Sequence, residues 1–411
     1  MNRKVLSFLF LATIFFIKVS AQQQAVVISP IANLSLRPLQ RTYKEKDIAS
    51  VYDALAIASV GEISLCRRVH QLLFNETVTV VKEQEQEVLI EISSLYPAIS
   101  CNNPHVSTKS YWIPKKHLKF LTAEDFKNSH FPKSIDTKNP YDETTHRQTV
   151  ALLLPIYDPV TQKTYSAGTR FIYTKKQTSQ NYWFVYVYDS NDNREKIITL
   201  PSSICIAPNI LKTTEEKIKM FVELLKVWTY KDIKEKIPFV WGGCSIRDFC
   251  IPENFNITKF NATSAIQIKA YEREENSIPY SGLDSSGLIL RAAQICGIPY
   301  FCKNSTTCRK HLRPLKENEA VEKGDIIWLP RYICAISSVE NNKVVCARGY
   351  DPGFGFVDES DLSDLFAQVS TYEQLLEYHT SEKPILVKRR DGSTKQFGQV
   401  VILKLSSCWD N

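Results

Sequence analysis

Glycine is scarce in this chain, 13 residues of 411, and there are only 2 methionines and 7 histidines. So little glycine, beside 19 prolines, excludes a collagen-like repeat, and no low-complexity tract points to disorder. No apolar run of about 18 residues occurs beyond the N-terminus, which excludes a polytopic membrane protein. A large excess of one charge is also missing. Lys and Arg exceed Asp and Glu by 51 − 44 = 7, spread along the chain, so no basic stripe awaits nucleic acid. Neither C-x-x-C nor H-x₃-H spacing occurs, so no metal site and no other cofactor is expected. What remains is globular: 44% hydrophobic and 23% charged, long enough for two or three folded units at about 150 residues each.

The N-terminus has the layout of a secretory signal, read as residues 1–21. Arg3 and Lys4 form a basic start, Val5 to Ile17 is apolar, and Val19-Ser20-Ala21 offers small residues for cleavage. An uncleaved anchor is the alternative, and Lys18 disfavours it. Removal of Arg3, Lys4 and Lys18 leaves 48 − 44 = +4. The expected location is the periplasm, the cell envelope or the extracellular space, with no membrane span after cleavage. Such spaces allow disulfides. The 11 cysteines are odd in number, and Cys244/Cys250 and Cys302/Cys308, each six apart, are candidate loop staples whose pairing stays open. Sequons at Asn33, Asn75, Asn256, Asn261 and Asn304 matter only in a eukaryotic secretory host.

Residues 22–51 read as a polar lead-in. Residues 52–126 alternate short β-prone runs with turns: Thr77 to Val81, Val88 to Ile92 and Tyr111 to Pro114 are the clearest. A polar, proline-bearing linker at 127–147 leads to a second β-rich stretch at 148–208, with Ala151 to Leu154, Gly168 to Tyr173 and Tyr182 to Tyr188. Each stretch is the size of a small five- or six-stranded barrel. The aromatic face Tyr182, Phe184, Tyr186 and Tyr188 is read as barrel core.

The last unit, 209–411, opens with a helix. Thr213 and Glu216 form a capping box, and Ile218, Phe221, Val222 and Leu225 line one face. A loop through Trp241-Gly-Gly243 precedes a second helix started by Asp284-Ser-Ser-Gly287, with Leu288, Ala292 and Ile295 on one face and Gly297 as its stop. The remainder reads as β: Asp325 to Leu329, Ile333 to Val339, a turn at Asn341-Asn342, and Val344 to Ala347. A last hairpin turns at Asp391-Gly392 and returns through Val400 to Leu405. Helix first and sheet after is an α+β layout. A nucleophile in the first turn of a helix gains from the macrodipole and free N–H groups, with a base arriving from a neighbouring strand.

Phe239-Val-Trp-Gly-Gly243, Asp284-Ser-Ser-Gly-Leu288, Gly324-Asp-Ile-Ile-Trp328 and Ala347-Arg-Gly-Tyr350 occur in that order over the last half of the chain. In this the chain resembles the NlpC family of papain-like cysteine peptidases, which cut peptidoglycan stem peptides. The two upstream β-units are similar to the bacterial SH3-type domains that precede the catalytic domain in γ-D-glutamyl–diamino acid endopeptidases. The resemblance implies two small SH3-like β-barrels followed by a papain-like α+β domain. It implies a cysteine nucleophile, a histidine base and a polar orienting residue at positions that here hold Ser285, Tyr332 and Cys346. It also implies that Asp284, beside Ser286, holds a free amine of the substrate, and peptidoglycan stem peptides, muropeptides or a protein as partner; Trp241 is a candidate cleft wall and Tyr111 a candidate aromatic platform for the substrate.

All three positions that would carry the chemistry are thus altered. A serine hydroxyl needs a base, because a helix dipole alone does not ionise it at neutral pH. Only His311 and His379 lie in the last unit; His311 is read as a solvated loop residue and Cys346 as buried packing. Asp284 is equally a helix cap, Trp241-Gly-Gly243 a tight turn, Tyr111 a core residue, and Lys388-Arg-Arg390 a solvated hairpin tip. The leading expectation is a catalytically silent relative that binds stem peptides or a partner enzyme. The alternative is an active endopeptidase cleaving γ-D-glutamyl–diamino acid bonds, and a third reading is an exported adhesin without muropeptide affinity.

Overall fold

A computed structural model of the chain describes residues 23–42, 47–53, 68–138, 141, 148–177, 181–229, 236–247, 281–349, 352–381 and 383–410. The signal segment 1–21, Cys250, Asn256, Asn261, Tyr350 and positions 142–147 of the linker lie outside the described residues.

The first unit is a seven-stranded antiparallel sheet. Its order is Arg68–Leu73, Ile31–Ser35, Ser110–Pro114, Glu87–Glu91, Thr77–Gln84, Gln24–Val27, Leu118–Leu121. The expected lead-in at 22–51 is therefore corrected: two of these strands come from it. Val26 and Val27 are completely buried, as are Ala32 and Leu34, so this stretch supplies core that its polar neighbours mask in the sequence. Residues 129–138 run along the sheet as more than a tether. Ser93 Oγ donates to Ile135 O and Thr77 Oγ1 to Pro132 O, each at 3.2 Å, and Ile135 is buried.

The second unit is a five-stranded sheet in the order Arg194–Pro201, Tyr182–Asp189, Arg170–Gln177, Thr149–Leu152, Cys205–Ile206. Here the aromatic strand turns the opposite way from expectation. Trp183, Val185 and Val187 face the core, whereas Tyr182, Phe184 and Tyr186 face outward, Tyr182 being 40% exposed. Of the four aromatics read as core, only Tyr188 is buried. Strand alternation forces a choice of face, and the face with no hydroxyls to satisfy went inward.

In the last unit helix α1 (Thr214–Trp228) has the capping box at Thr213 and Glu216 and buries Phe221, Val222, Leu225 and Trp228. Helix α2 (Ser285–Ile295) is buried on all sides from Ser286 onward, and Gly297 ends it with φ +69°. Helix α3 (Ser305–His311) replaces the expected loop around His311. The sheet runs β4-β3-β2-β1-β5, with β1 Ile326–Leu329, β2 Tyr332–Ser338, β3 Lys343–Arg348, β4 Phe356–Asp361 and β5 Val401–Leu403. Alternation divides it cleanly. Ile326, Trp328, Ile333, Ala335, Val345 and Ala347 join the core shared with α1, α2 and both upstream sheets. Ile327, Leu329, Cys334, Ile336, Val344 and Cys346 face a second core under helix α4 (Tyr372–Ser381), which the sequence reading left as β.

The last hairpin also differs. Ile385–Lys388 pairs with Thr394–Phe397, while Val401–Leu403 pairs with β1 instead. The strand next to the Asp391-Gly392 turn is polar and exposed enough for a two-stranded flap, whereas Val401, Ile402 and Leu403 need the buried place beside β1.

Candidate functional site

Two close backbone approaches fix where helix α2 begins. Asp284 N donates to Gly243 O at 3.1 Å, and a Cβ on Gly287 would lie 1.9 Å from that same oxygen. Gly242 has φ +66° and would press a Cβ to 2.6 Å from Arg68 O, on the first sheet. The W-G-G and D-S-S-G motifs are thus two halves of one contact that only glycine permits. Arg68 Nε completes it, donating to Trp241 O at 2.9 Å.

Asp284 caps the helix: its Oδ1 accepts from Gly287 N at 2.6 Å and from Ser286 Oγ at 2.7 Å, and Oδ2 lies 3.9 Å from Lys303 Nζ. Asp284, Ser286 and Lys303 are all buried, and neither Asp284 nor Ser286 lines the cleft described next. Tyr111 lies in the main core with its hydroxyl buried and unpartnered, also away from that cleft.

Beside the first residue of α2 lies a cleft of about 370 Å³. Ser285, Trp241 and Tyr332 line it, joined by Phe239, Phe354 and Phe397 and by Arg331, Arg348, Lys388, Arg389 and Lys395. Of the expected site residues the structure therefore brings Ser285, Tyr332 and Trp241 to one cavity. Phe239 and Trp241 meet edge to face at 4.9 Å. The hairpin Ile385–Phe397 forms one wall, so the tip expected to be merely solvated contributes Lys388 and Arg389 to the cavity.

Ser285 Oγ is half-buried, and among the described residues no hydrogen bond joins it to Tyr332 or to any histidine. Tyr332 packs on the second core, with its buried hydroxyl against the Cys346 and Cys334 thiols and no well-formed hydrogen bond. Burial and those neighbouring thiols push its pKa well above that of an ordinary phenol. Cys346 is wholly buried on the same face, so it touches Tyr332 but does not line the cleft. A phenol held so firmly protonated cannot take a proton from serine at neutral pH.

Neither histidine of this unit reaches the cavity. His311 is half-buried: its ring stacks on Tyr96 of the first unit with centroids 3.9 Å apart, and burial and Lys310 lower its pKa. His379 Nε2 donates to Leu315 O at 3.0 Å while Nδ1 receives Ile402 N–H at 3.4 Å, which fixes α4 against β5. The G-D motif is structural as well. Asp325 forms a buried ion pair with Lys404 at 2.9 Å, and burial, outweighing that partner, raises its carboxyl to about 6. Cys302, Cys308 and Cys244 are free thiols here, so the candidate Cys302/Cys308 staple is absent.

The cationic and aromatic cleft lining was largely missed by sequence reasoning. Phe354, Phe397 and Lys395 carry no local signal, because the hairpin that carries the last two is placed by long-range contacts, Val387 bridging to Phe366 and Leu386 O accepting from Ala367 N. Only the run Lys388-Arg-Arg390 marked the region.

No protein-family model matches the chain, and no curated protein matches it. Among solved structures, the chain is similar to an NlpC/P60 family protein from Bacillus cereus, with TM-score 0.50, 13% identity, 82% of this chain and 94% of that one. It is matched more loosely to NlpC2 (TM-score 0.31, 10% identity, 84% and 93% coverage) and NlpC1 (0.29, 11%, 84% and 89%) of Trichomonas vaginalis. At this identity the first of these likenesses establishes an NlpC/P60-like fold.

Proposed function

We propose that the protein is an exported, catalytically silent relative of the NlpC-type cell-wall peptidases, with two SH3-type barrels ahead of the peptidase-like domain. Its cleft holds peptidoglycan stem peptides, or a partner, without cutting them. One observation carries this reading: a cavity lies at the start of α2, yet among the described residues nothing in its lining can serve Ser285 as a base. Loss of the nucleophile or histidine of a hydrolytic triad lowers turnover by about 10⁶. In this chain Ser285, Tyr332 and Cys346 stand at the nucleophile, base and orienting positions.

The test is prolonged incubation of L-Ala–γ-D-Glu–diaminopimelate with the purified protein and with Ser285→Ala, followed by mass spectrometry. Neither protein is expected to release product above the level of buffer. Cleavage by the wild type that vanishes in Ser285→Ala would sink the proposal and establish an endopeptidase. Retention on purified sacculi is expected too, and its absence would favour an adhesin-like role.

A further inference from the structure

The resemblance places an acid, Asp284, to receive a free amine of the ligand, but in this chain that acid is spent. Its two oxygens serve the α2 cap, Ser286 and Lys303, and it lies outside the cleft. Among the described residues the lining contains five cationic side chains and no carboxylate. Arg348 is itself neutralised by Asp358, its Nε donating to Oδ1 at 3.1 Å, and its guanidinium carbon lies over Phe354, 3.6 Å from the ring centroid. Lys388 and Arg331 come from two separate walls. Lys388 stands on the hairpin. Arg331 sits in the two-residue turn between β1 and β2, in a left-handed conformation at φ +69°. A non-glycine residue held there costs about 1–2 kcal/mol. Arg331 Nη2 donates to Asn102 Oδ1 at 2.6 Å, so the first unit positions this cation at the lip.

We infer that the cleft selects its ligand by negative charge: it takes a carboxylate-bearing peptide whose apolar parts lie against Trp241, Phe239 and Phe397, and it does not read a free amino terminus. This rests on the cleft being the ligand site proposed above, and it reverses the charge preference that the resemblance implies. The carboxylates of a stem peptide or of an ordinary acidic peptide satisfy the same chemistry.

Fluorescence anisotropy with labelled peptides separates the cases. The probes are L-Ala–γ-D-Glu–diaminopimelate, its N-acetylated form, its fully amidated form, and an unrelated acetylated peptide alternating Glu and Phe. Acetylation is expected to change Kd less than twofold and amidation to raise it at least tenfold. Lys388→Glu and Arg331→Glu should each raise Kd of the acidic probes about tenfold, while Lys310→Glu, with the same net-charge change at an exposed position of α3, leaves it unaltered. A tenfold loss on acetylation, or indifference to amidation, overturns the inference and leaves the stem-peptide proposal standing. Binding of the Glu-Phe peptide alone, sensitive to Lys388→Glu, upholds the inference and refutes the stem-peptide ligand. Binding of neither acidic probe refutes both.

Discussion

Tyr332 shows how one side chain can occupy a site and yet be useless to it. Its ring borders the cleft, but its hydroxyl is buried among thiols where nothing repays the lost water. Tyr332→Phe is therefore expected to leave ligand binding unchanged and to match or exceed wild-type stability by up to about 1 kcal/mol in urea unfolding. A loss above that figure would mean the hydroxyl is satisfied after all. Ser285, Tyr332 and Cys346 were singled out in the sequence by their spacing from ordered motifs; Ser285 and Tyr332 line the cleft, and Cys346 does not. Asp284 was legible as a cap, and the structure keeps only that role for it. The orientation of Tyr332 was not legible, because which face of β2 meets which core depends on α4, a helix whose polar sequence hid it.

Helix α2 is the element on which the units meet. Arg291, 2% exposed on its side chain, pairs with Glu76, in a turn of the first unit, at 2.7 Å and donates through Nε to Cys244 O at 3.0 Å. Gly168 of the second unit lies so close that an added Cβ would be 2.3 Å from Arg291 Cδ. Removing one partner of such a buried pair strands the other, at a cost of about 3–5 kcal/mol. Arg291→Met is expected to lose about 3 kcal/mol of unfolding free energy, whereas Lys310→Glu, on the surface, loses less than about 0.5 kcal/mol. The helix and its cap were readable from the sequence through periodicity and the motif. Its inward arginine was not, since the periodic pattern describes a helix with one wet face and this one has none.

Across the whole molecule, stability depends on pH through two buried groups. His70, on the first sheet, is 3% exposed and faces Lys303 and Arg291, so burial and then those two cations hold its pKa well below the usual value. The unfolded chain protonates this ring near pH 6.5 while the folded one does not. Its contribution is thus full above about pH 6.5 and falls as the pH drops, by up to about 1.4 kcal/mol per unit. Asp325 acts oppositely: with a folded pKa raised to about 6, it adds stability as pH falls from 6 toward the unfolded value. The stability advantage of the wild type over His70→Gln should accordingly shrink between pH 7.5 and 5.5 in urea titrations. A constant difference would show that His70 does not titrate on unfolding.

The shared core has a consequence for how such a chain can change over time. Gln71 of the first sheet accepts from Cys244 N at 3.0 Å and Ser245 Oγ at 2.8 Å, immediately after the W-G-G turn that shapes the cleft. A replacement for the first unit would have to bring its own Gln71, Glu76 and Arg68 in register, or leave Cys244 N, Arg291 and Trp241 O without these hydrogen bonds. The first and last units are therefore not independent parts: exchanging one alone would leave buried polar groups of the other unpaired.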